Sequence, residues 1–169
     1  MNVEEALKTA IEYENKVTAV YQDACDKIED PVGKRVFKVL AKEEEGHVAY
    51  LKSRLDEWQK DGKITLGGLV TAIPSKQAIE KAAGDLDTGV SRDASATELE
   101  MLNRALEIEQ RTSAYYEKLV NEIPGKEKEL FSRFLEIEKG HQAIVEAEIN
   151  SVTGLGVWFD MEEFDLEAG

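Results

Sequence analysis

The chain has 169 residues, enough for one domain with a sizeable core, and its mix of 42% hydrophobic and 33% charged residues excludes a disordered polyelectrolyte. A formal net charge of −14 excludes nucleic acid and anionic membrane surfaces as partners and favours cations. The single cysteine, Cys25, excludes an internal disulfide and a four-cysteine metal centre within one chain, and reads as an inert core thiol.

The N-terminal run Met1 to Glu5 lacks the basic start and apolar stretch of a signal peptide, and no apolar run approaches the ~18 residues of a membrane span. A cytoplasmic protein is expected. With only three prolines and apolar residues spaced at a helical period, the fold class is all-α.

The first helix is expected over about 2–29, with an apolar stripe of Leu7, Ala10, Val17, Tyr21, Ala24 and Ile28. Glu14 falls inside that stripe, whereas Glu12 points to the wet side. Asp30-Pro31 breaks the chain, and a second helix over 32–61 buries Phe37, Leu40, Leu51 and Leu55. Glu44 and His47 lie seven residues after Phe37 and Leu40, so they face the same core. Residues 62–94 carry five glycines and Pro74, and read as a long crossover with a short helix near 75–83.

A third helix over 95–122 has Leu99, Leu102, Leu106, Ser113 and Tyr116 bracketing Glu109, with Glu107 pointing away. After Ile123-Pro124-Gly125, a fourth helix over 125–152 places Glu138 and His141 among Phe131, Phe134, Ile144 and Val145. The bundle is expected over 1–152. Residues 153–169 break the pattern and read as a tail in which Trp158, Phe159 and Phe164 cover bundle or partner surface.

The chain repeats itself. Ala10–Tyr21 matches Ala105–Tyr116 at an offset of 95, and Phe37–His47 matches Phe131–His141 at an offset of 94. Two similar helical hairpins joined by one long crossover are therefore expected. Both histidines sit in the string Glu-x-Gly-His, at Glu44 to His47 and at Glu138 to His141. Residues three apart share a helix face, so each pair can present a carboxylate oxygen and an imidazole nitrogen to one ion.

Four carboxylates buried together are costly through desolvation and mutual repulsion, and two divalent cations would bring +4 against −4. Carboxylate-rich ligation with one imidazole per ion suits iron or manganese, alone or mixed, better than a sulfur-rich structural zinc site. Tyr21 and Tyr116 each lie seven residues after a candidate ligand; core packing and a hydroxyl bond to a ligand carboxylate are both open to them. Gly46 and Gly140 each cost about 1 kcal/mol inside a helix relative to alanine, and close approach of a neighbouring helix is the plainest reason for them. An acidic interaction bundle without metal is the bland alternative.

Glu14 with Tyr21 seven residues later, Glu44-x-x-His47, Glu109, and Glu138-x-x-His141 together resemble the rubrerythrin branch of the ferritin-like di-iron proteins across all four main helices. The resemblance implies a four-helix bundle holding two iron ions. Glu14 and Glu109 would be ligands from single helices, Glu44 and Glu138 bridging carboxylates, and His47 and His141 terminal nitrogen ligands. Two departures stand out: the chain has no Cys-x-x-Cys pair of the rubredoxin kind, and Thr112 occupies the position where rubrerythrins carry an additional glutamate.

The activity so implied is an oxidoreductase of the peroxidase type, reducing hydrogen peroxide at a carboxylate-bridged di-iron site with electrons from an external donor such as a rubredoxin. The alternative is a ferroxidase that uses dioxygen and serves iron binding and storage. A homodimer is expected, with the long crossover permitting a swap of hairpins between chains.

Overall fold

The computed structural model describes residues 1–85 and 95–153, and the expected tail contacts of Trp158, Phe159 and Phe164 fall outside the described residues. Among those residues there are five helices and no strand: α1 (Val3–Lys27), α2 (Pro31–Asp61), α3 (Lys76–Asp85), α4 (Ala96–Glu122) and α5 (Lys128–Val152).

Local chemistry sets the helix ends. The Asn2 side chain caps the backbone N–H of Glu5 while the Glu5 carboxylate accepts from the Asn2 N–H, a reciprocal box that satisfies two donors at the start of α1. Asp30 accepts from the N–H groups of Val32 and Gly33, and Pro31 fits the first helical position because its missing N–H has no intrahelical partner there. Gly62 ends α2 with φ of 63°, a left-handed conformation that a side chain would resist. Ser95 caps α4 through the Glu98 N–H.

The helices pair as the repeat implies. α1 packs along α2, α4 along α5, α1 crosses to α4, and the short α3 lies against α5. Two apolar clusters result. One joins the C-terminal half of α1 and the N-terminal half of α2 to the start of α4 and the end of α5, with Val17, Phe37, Leu40, Leu102 and Ile144 fully or almost fully buried. The other gathers the start of α1, Leu51, the end of α4 and the start of α5 around Leu7, Leu119, Phe131 and Phe134. Burying each large side chain contributes roughly 1.5–3 kcal/mol, so these two layers hold the bundle and the level between them can be polar.

The crossover is a fitted strap. Ile64 and Ile73 are buried in opposite clusters, and the Tyr50 hydroxyl donates to the Gly67 carbonyl at 2.8 Å. Ideal positions for a Cβ explain two glycines. At Gly33 it would collide with Glu98 Oε1, and at Gly140 it would lie 2.9 Å from the Pro74 carbonyl oxygen. The approach at Gly140 thus comes from strap backbone rather than from a helix as the sequence led us to expect. Among the described residues nothing lies within 4 Å of a Cβ at Gly46, so close approach by them does not account for it.

On α4 the buried face is rotated slightly from the expected stripe. Glu98 is buried and Leu99 only partly so, because Gly33 opens space for the Glu98 carboxylate. Leu55 of α2 is likewise only partly buried. Cys25 is partly buried against the first cluster, where burial raises its thiol pKa.

Candidate metal centre

Between the two apolar clusters lies a layer of six polar side chains. Glu14 comes from α1, Glu44 and His47 from α2, Glu109 from α4, and Glu138 and His141 from α5; all are buried, with His47 the most accessible at 2%. One chain supplies all six. Glu12 and Glu107, two residues before Glu14 and Glu109, are exposed.

The six divide into two overlapping sets. Glu14, Glu44, His47 and Glu138 can each place one ligand atom within 4.8 Å of the others, and so can Glu44, Glu109, Glu138 and His141. Glu44 and Glu138 belong to both. Within the first set His47 Nδ1 lies 3.3 Å from Glu14, 3.2 Å from Glu44 and 3.4 Å from Glu138. Within the second, His141 Nδ1 lies 2.7 Å from Glu44 Oε1 and 3.8 Å from Glu109.

The tyrosines cross the bundle reciprocally. The Tyr21 hydroxyl of α1 donates to Glu109 of α4, and the Tyr116 hydroxyl of α4 donates to Glu14 of α1. Each therefore orients the carboxylate contributed by the opposite hairpin. The two imidazoles lie nearly parallel, 5.5 Å apart at 6°, and Phe134 meets His47 edge-on while stacking on Tyr116. Thr112, where rubrerythrins carry glutamate, is buried and donates to the Ile108 carbonyl one turn back.

Electrostatics follow from crowding. Burial, reinforced by the charges of Glu138 and Glu44, raises Glu109 well above the usual carboxylate range, and burial likewise raises Glu44. Burial disfavours the charged imidazolium of His47 and of His141, but Glu44 and its neighbouring carboxylates outweigh that and raise both well above the ordinary histidine value. Burial also raises the Tyr21 and Tyr116 hydroxyls, with Glu109 and Glu14 the next causes, so both remain proton donors. Without a metal, this centre holds protons in place of cations.

The donor set fits metal. Among the described residues, Glu109 Oε2 and both Glu138 oxygens are buried without a hydrogen-bond partner. Buried polar atoms are paired in the great majority of cases, and a cluster of unpaired ones converging on one region is what cation ligands look like without the cation.

One residue escaped the sequence reading. Glu43 accepts a hydrogen bond from His141 Nε2 at 2.9 Å and another from the Thr71 hydroxyl at 2.6 Å, and its second oxygen accepts from the Ala72 N–H. Burial would raise its pKa, but the His141 hydrogen bond and charge, with Thr71 and Ala72, hold it at about 2. The repeat carried a signal for it: position 43 aligns with Ile137, an apolar residue that is buried on α5. A cleft of about 350 Å³ opens beside Glu43 and His47, between α2 and the strap at Gly68–Ala72.

No family model matches the chain. Over 80 residues, 46% of its length, it is 36% identical to bacterioferritin of Brucella melitensis biotype 1, and the match spans about half, 49%, of that protein. A hypothetical protein from Pyrococcus furiosus superposes with a TM-score of 0.64 over 94% of both chains at 21% identity, a likeness of fold. The architecture is a helical bundle consistent with a ferritin-like fold. Its buried carboxylate and histidine clusters could hold metal ions.

Proposed function

We propose that the chain binds two iron ions in the six-residue centre and oxidises ferrous iron there, as a ferroxidase of the iron-binding and storage kind. The observation that carries this reading is the pair of overlapping ligand sets sharing Glu44 and Glu138, which offers two adjacent cation positions in a buried layer. The resemblance to a bacterioferritin, a ferritin by name, supports ferrous ion as the source of electrons.

Glu14 with His47 and Glu109 with His141 would hold one ion each, and Glu44 and Glu138 would bridge. Two bound ferrous ions supply two electrons, enough to reduce dioxygen with two protons to hydrogen peroxide, or hydrogen peroxide with two protons to two waters. The chain's own groups set the conditions for that exchange. Tyr21 and Tyr116 fix the carboxylates of Glu109 and Glu14, Phe134 packs edge-on against His47, and the cleft at Glu43 and His47 would give small oxidants or ions a way in.

The peroxide reductase expected from the sequence uses the same centre and differs in its electron source, an external donor in place of successive ferrous ions. Stopped-flow absorbance separates the two. Anaerobic protein loaded with two ferrous ions is mixed with dioxygen or hydrogen peroxide at matched concentrations, then given further ferrous ion. Repeated turnover with ferric iron accumulating beyond two per chain is the expected result. A single rapid turnover with peroxide, slow reaction with oxygen and no accumulation would replace this reading with peroxide reduction. Light scattering bears on assembly: a large multi-subunit shell accords with storage, and the expected homodimer with the oxidoreductase.

A further inference from the structure

The two halves of the centre are chemically alike at their ligands and unlike immediately behind them. His141 Nε2 donates to Glu43, whereas the corresponding atom of the other half, His47 Nε2, is buried without a hydrogen-bond partner among the described residues. The repeat explains why. Glu43 precedes Glu44 on α2, and the residue that precedes Glu138 on α5 is the buried Ile137.

Glu43 is itself held. The Thr71 hydroxyl and the Ala72 N–H bind its two oxygens, the Ile73 N–H donates to Thr71 Oγ1 at 3.0 Å, and the Pro74 carbonyl seats against Gly140, the residue before His141. The strap therefore touches one histidine twice, once through Glu43 and once through its helix neighbour.

A carboxylate accepting from one imidazole N–H fixes the tautomer, leaves the other nitrogen's lone pair free, and makes that nitrogen a better donor. For His141 that lone pair belongs to Nδ1, which lies 2.7 Å from Glu44 and faces the centre. His47 also turns Nδ1 to the centre, but among the described residues no hydrogen bond to its Nε2 selects the tautomer.

We propose that Glu43, anchored by the crossover strap at Thr71 and Ala72, is a positioning residue for His141 that makes the Glu109–His141 half of the centre the tighter one, so that the two ions load in a fixed order. This rests on the reading of the centre as a two-ion site. The ligand class is a divalent first-row transition ion, and the strap becomes part of the site's affinity rather than a passive connection.

Cobalt(II) is the probe, titrated anaerobically into the full-length metal-free protein and followed by its d–d absorbance and by calorimetry. The wild-type protein should bind two ions in resolved steps separated by about tenfold or more in affinity, the scale on which such outer partners act. His141→Ala should remove the tight step and His47→Ala the weak one. Glu43→Gln, which keeps the shape and an acceptor oxygen but loses the charge, should weaken the tight step by about 10- to 100-fold, leave the other unchanged and so merge the two. Thr71→Val should act in the same direction with smaller effect, and it keeps the inference open to refutation if the Glu43 variant fails to fold.

A Glu43→Gln titration that superimposes on the wild type, or that weakens both ions equally, overturns the inference. Glu43, His47 and His141 can also place ligand atoms within 4.8 Å of one another, so a wild-type titration with a third ion that Glu43→Gln alone removes, the first two unaffected, would make Glu43 a ligand and overturn it too. Failure of the wild-type protein to bind cobalt at all would instead sink the two-ion reading beneath it.

Discussion

His47 and His141 stand in the same four-residue string, face overlapping sets of carboxylates and lie in parallel rings, yet His141 Nε2 bonds to an acid while His47 Nε2 has no hydrogen-bond partner among the described residues. The hairpin repeat builds the shared part: both histidines, the four glutamates and the reciprocal tyrosines occupy matching positions. The unshared part comes from the strap, which passes one side of the bundle and has no second copy. Duplication thus sets the ligands, and the connection between the duplicates differentiates them.

The largest effects should come from the residues common to both halves. Glu44→Ala or Glu138→Ala removes a group from each ligand set, so metal analysis after desalting should find both positions depleted, well below one ion per chain. Glu14→Ala and Glu109→Ala remove a group from one set only and should leave about one ion, while Glu12→Ala and Glu107→Ala, on exposed positions, should leave both. Two ions retained in Glu44→Ala and Glu138→Ala would break the comparison at its base.

Removing the metal should come next in size and should invert the dependence on pH. At a free-ion concentration about 100 times Kd each ion adds roughly 2.7 kcal/mol, so two ions should raise Tm by roughly 10–20 °C in a chain of this length. In the metal-free protein Glu44, Glu109, His47 and His141 all have folded pKa values above their ordinary 4.5 and 6.5. A raised folded pKa contributes stability that is fully present below the ordinary value and lost as pH rises through the folded one. Glu43, held at about 2, acts oppositely, contributing above 4.5 and losing that contribution as pH falls toward 2. The metal-free Tm should therefore be highest near pH 5 and fall toward pH 9, and the gap to the metal-loaded protein should widen over the same range because ligands bind metal deprotonated. Calorimetric scans with a metal-free Tm that is flat or rising over that range would contradict the buried cluster.

A smaller and more symmetric response is expected from the tyrosines. Tyr21→Phe frees Glu109 and Tyr116→Phe frees Glu14, each leaving the ring in place. Loss of such an orienting bond typically costs about 10-fold or more in metal affinity. Because the bonds are reciprocal, the two variants should weaken different steps of a cobalt titration by similar factors. A large effect from one and none from the other would locate an asymmetry in α1 and α4 that their sequences do not suggest.

Much of this was legible in the sequence because it depends on periodicity. Glu14 and Glu109 stand out as acids within apolar stripes, the Glu-x-x-His pairs as neighbours on one face, and Asp30-Pro31 and Ile123 to Gly125 as breaks, each a property of a single helix or turn. What depends on contacts between distant segments was not legible. Glu43 reads as one of three consecutive acids on α2 and acquires its role only when Thr71 and Ala72 of the strap reach it. Glu98 looks like a first-turn acid at the N-terminus of α4, and only the space left by Gly33 on another helix lets it turn inward. The expectation that a helix approaches Gly140 failed for the same reason, since a strap without regular structure has no periodicity to reveal its path.

The smallest effect is also the one with opposite signs at matching positions. Gly46 and Gly140 each precede a histidine and each pays the entropy of glycine in a helix, so on propensity alone alanine should stabilise both by roughly 0.5–1 kcal/mol. Surroundings divide them. A methyl group at Gly46 meets nothing within 4 Å among the described residues, and Gly46→Ala should raise Tm by a few degrees. At Gly140 the same methyl would lie 2.9 Å from the Pro74 carbonyl oxygen, which is backbone and can retreat only by lifting the strap. Gly140→Ala should therefore lower Tm. If strap and site are coupled through Glu43, it should also weaken the tight step of cobalt binding while Gly46→Ala leaves both steps where they were. Equal and stabilising responses at the two positions would mean that the strap yields without resistance, and the difference between the two histidines would then rest on Glu43 alone.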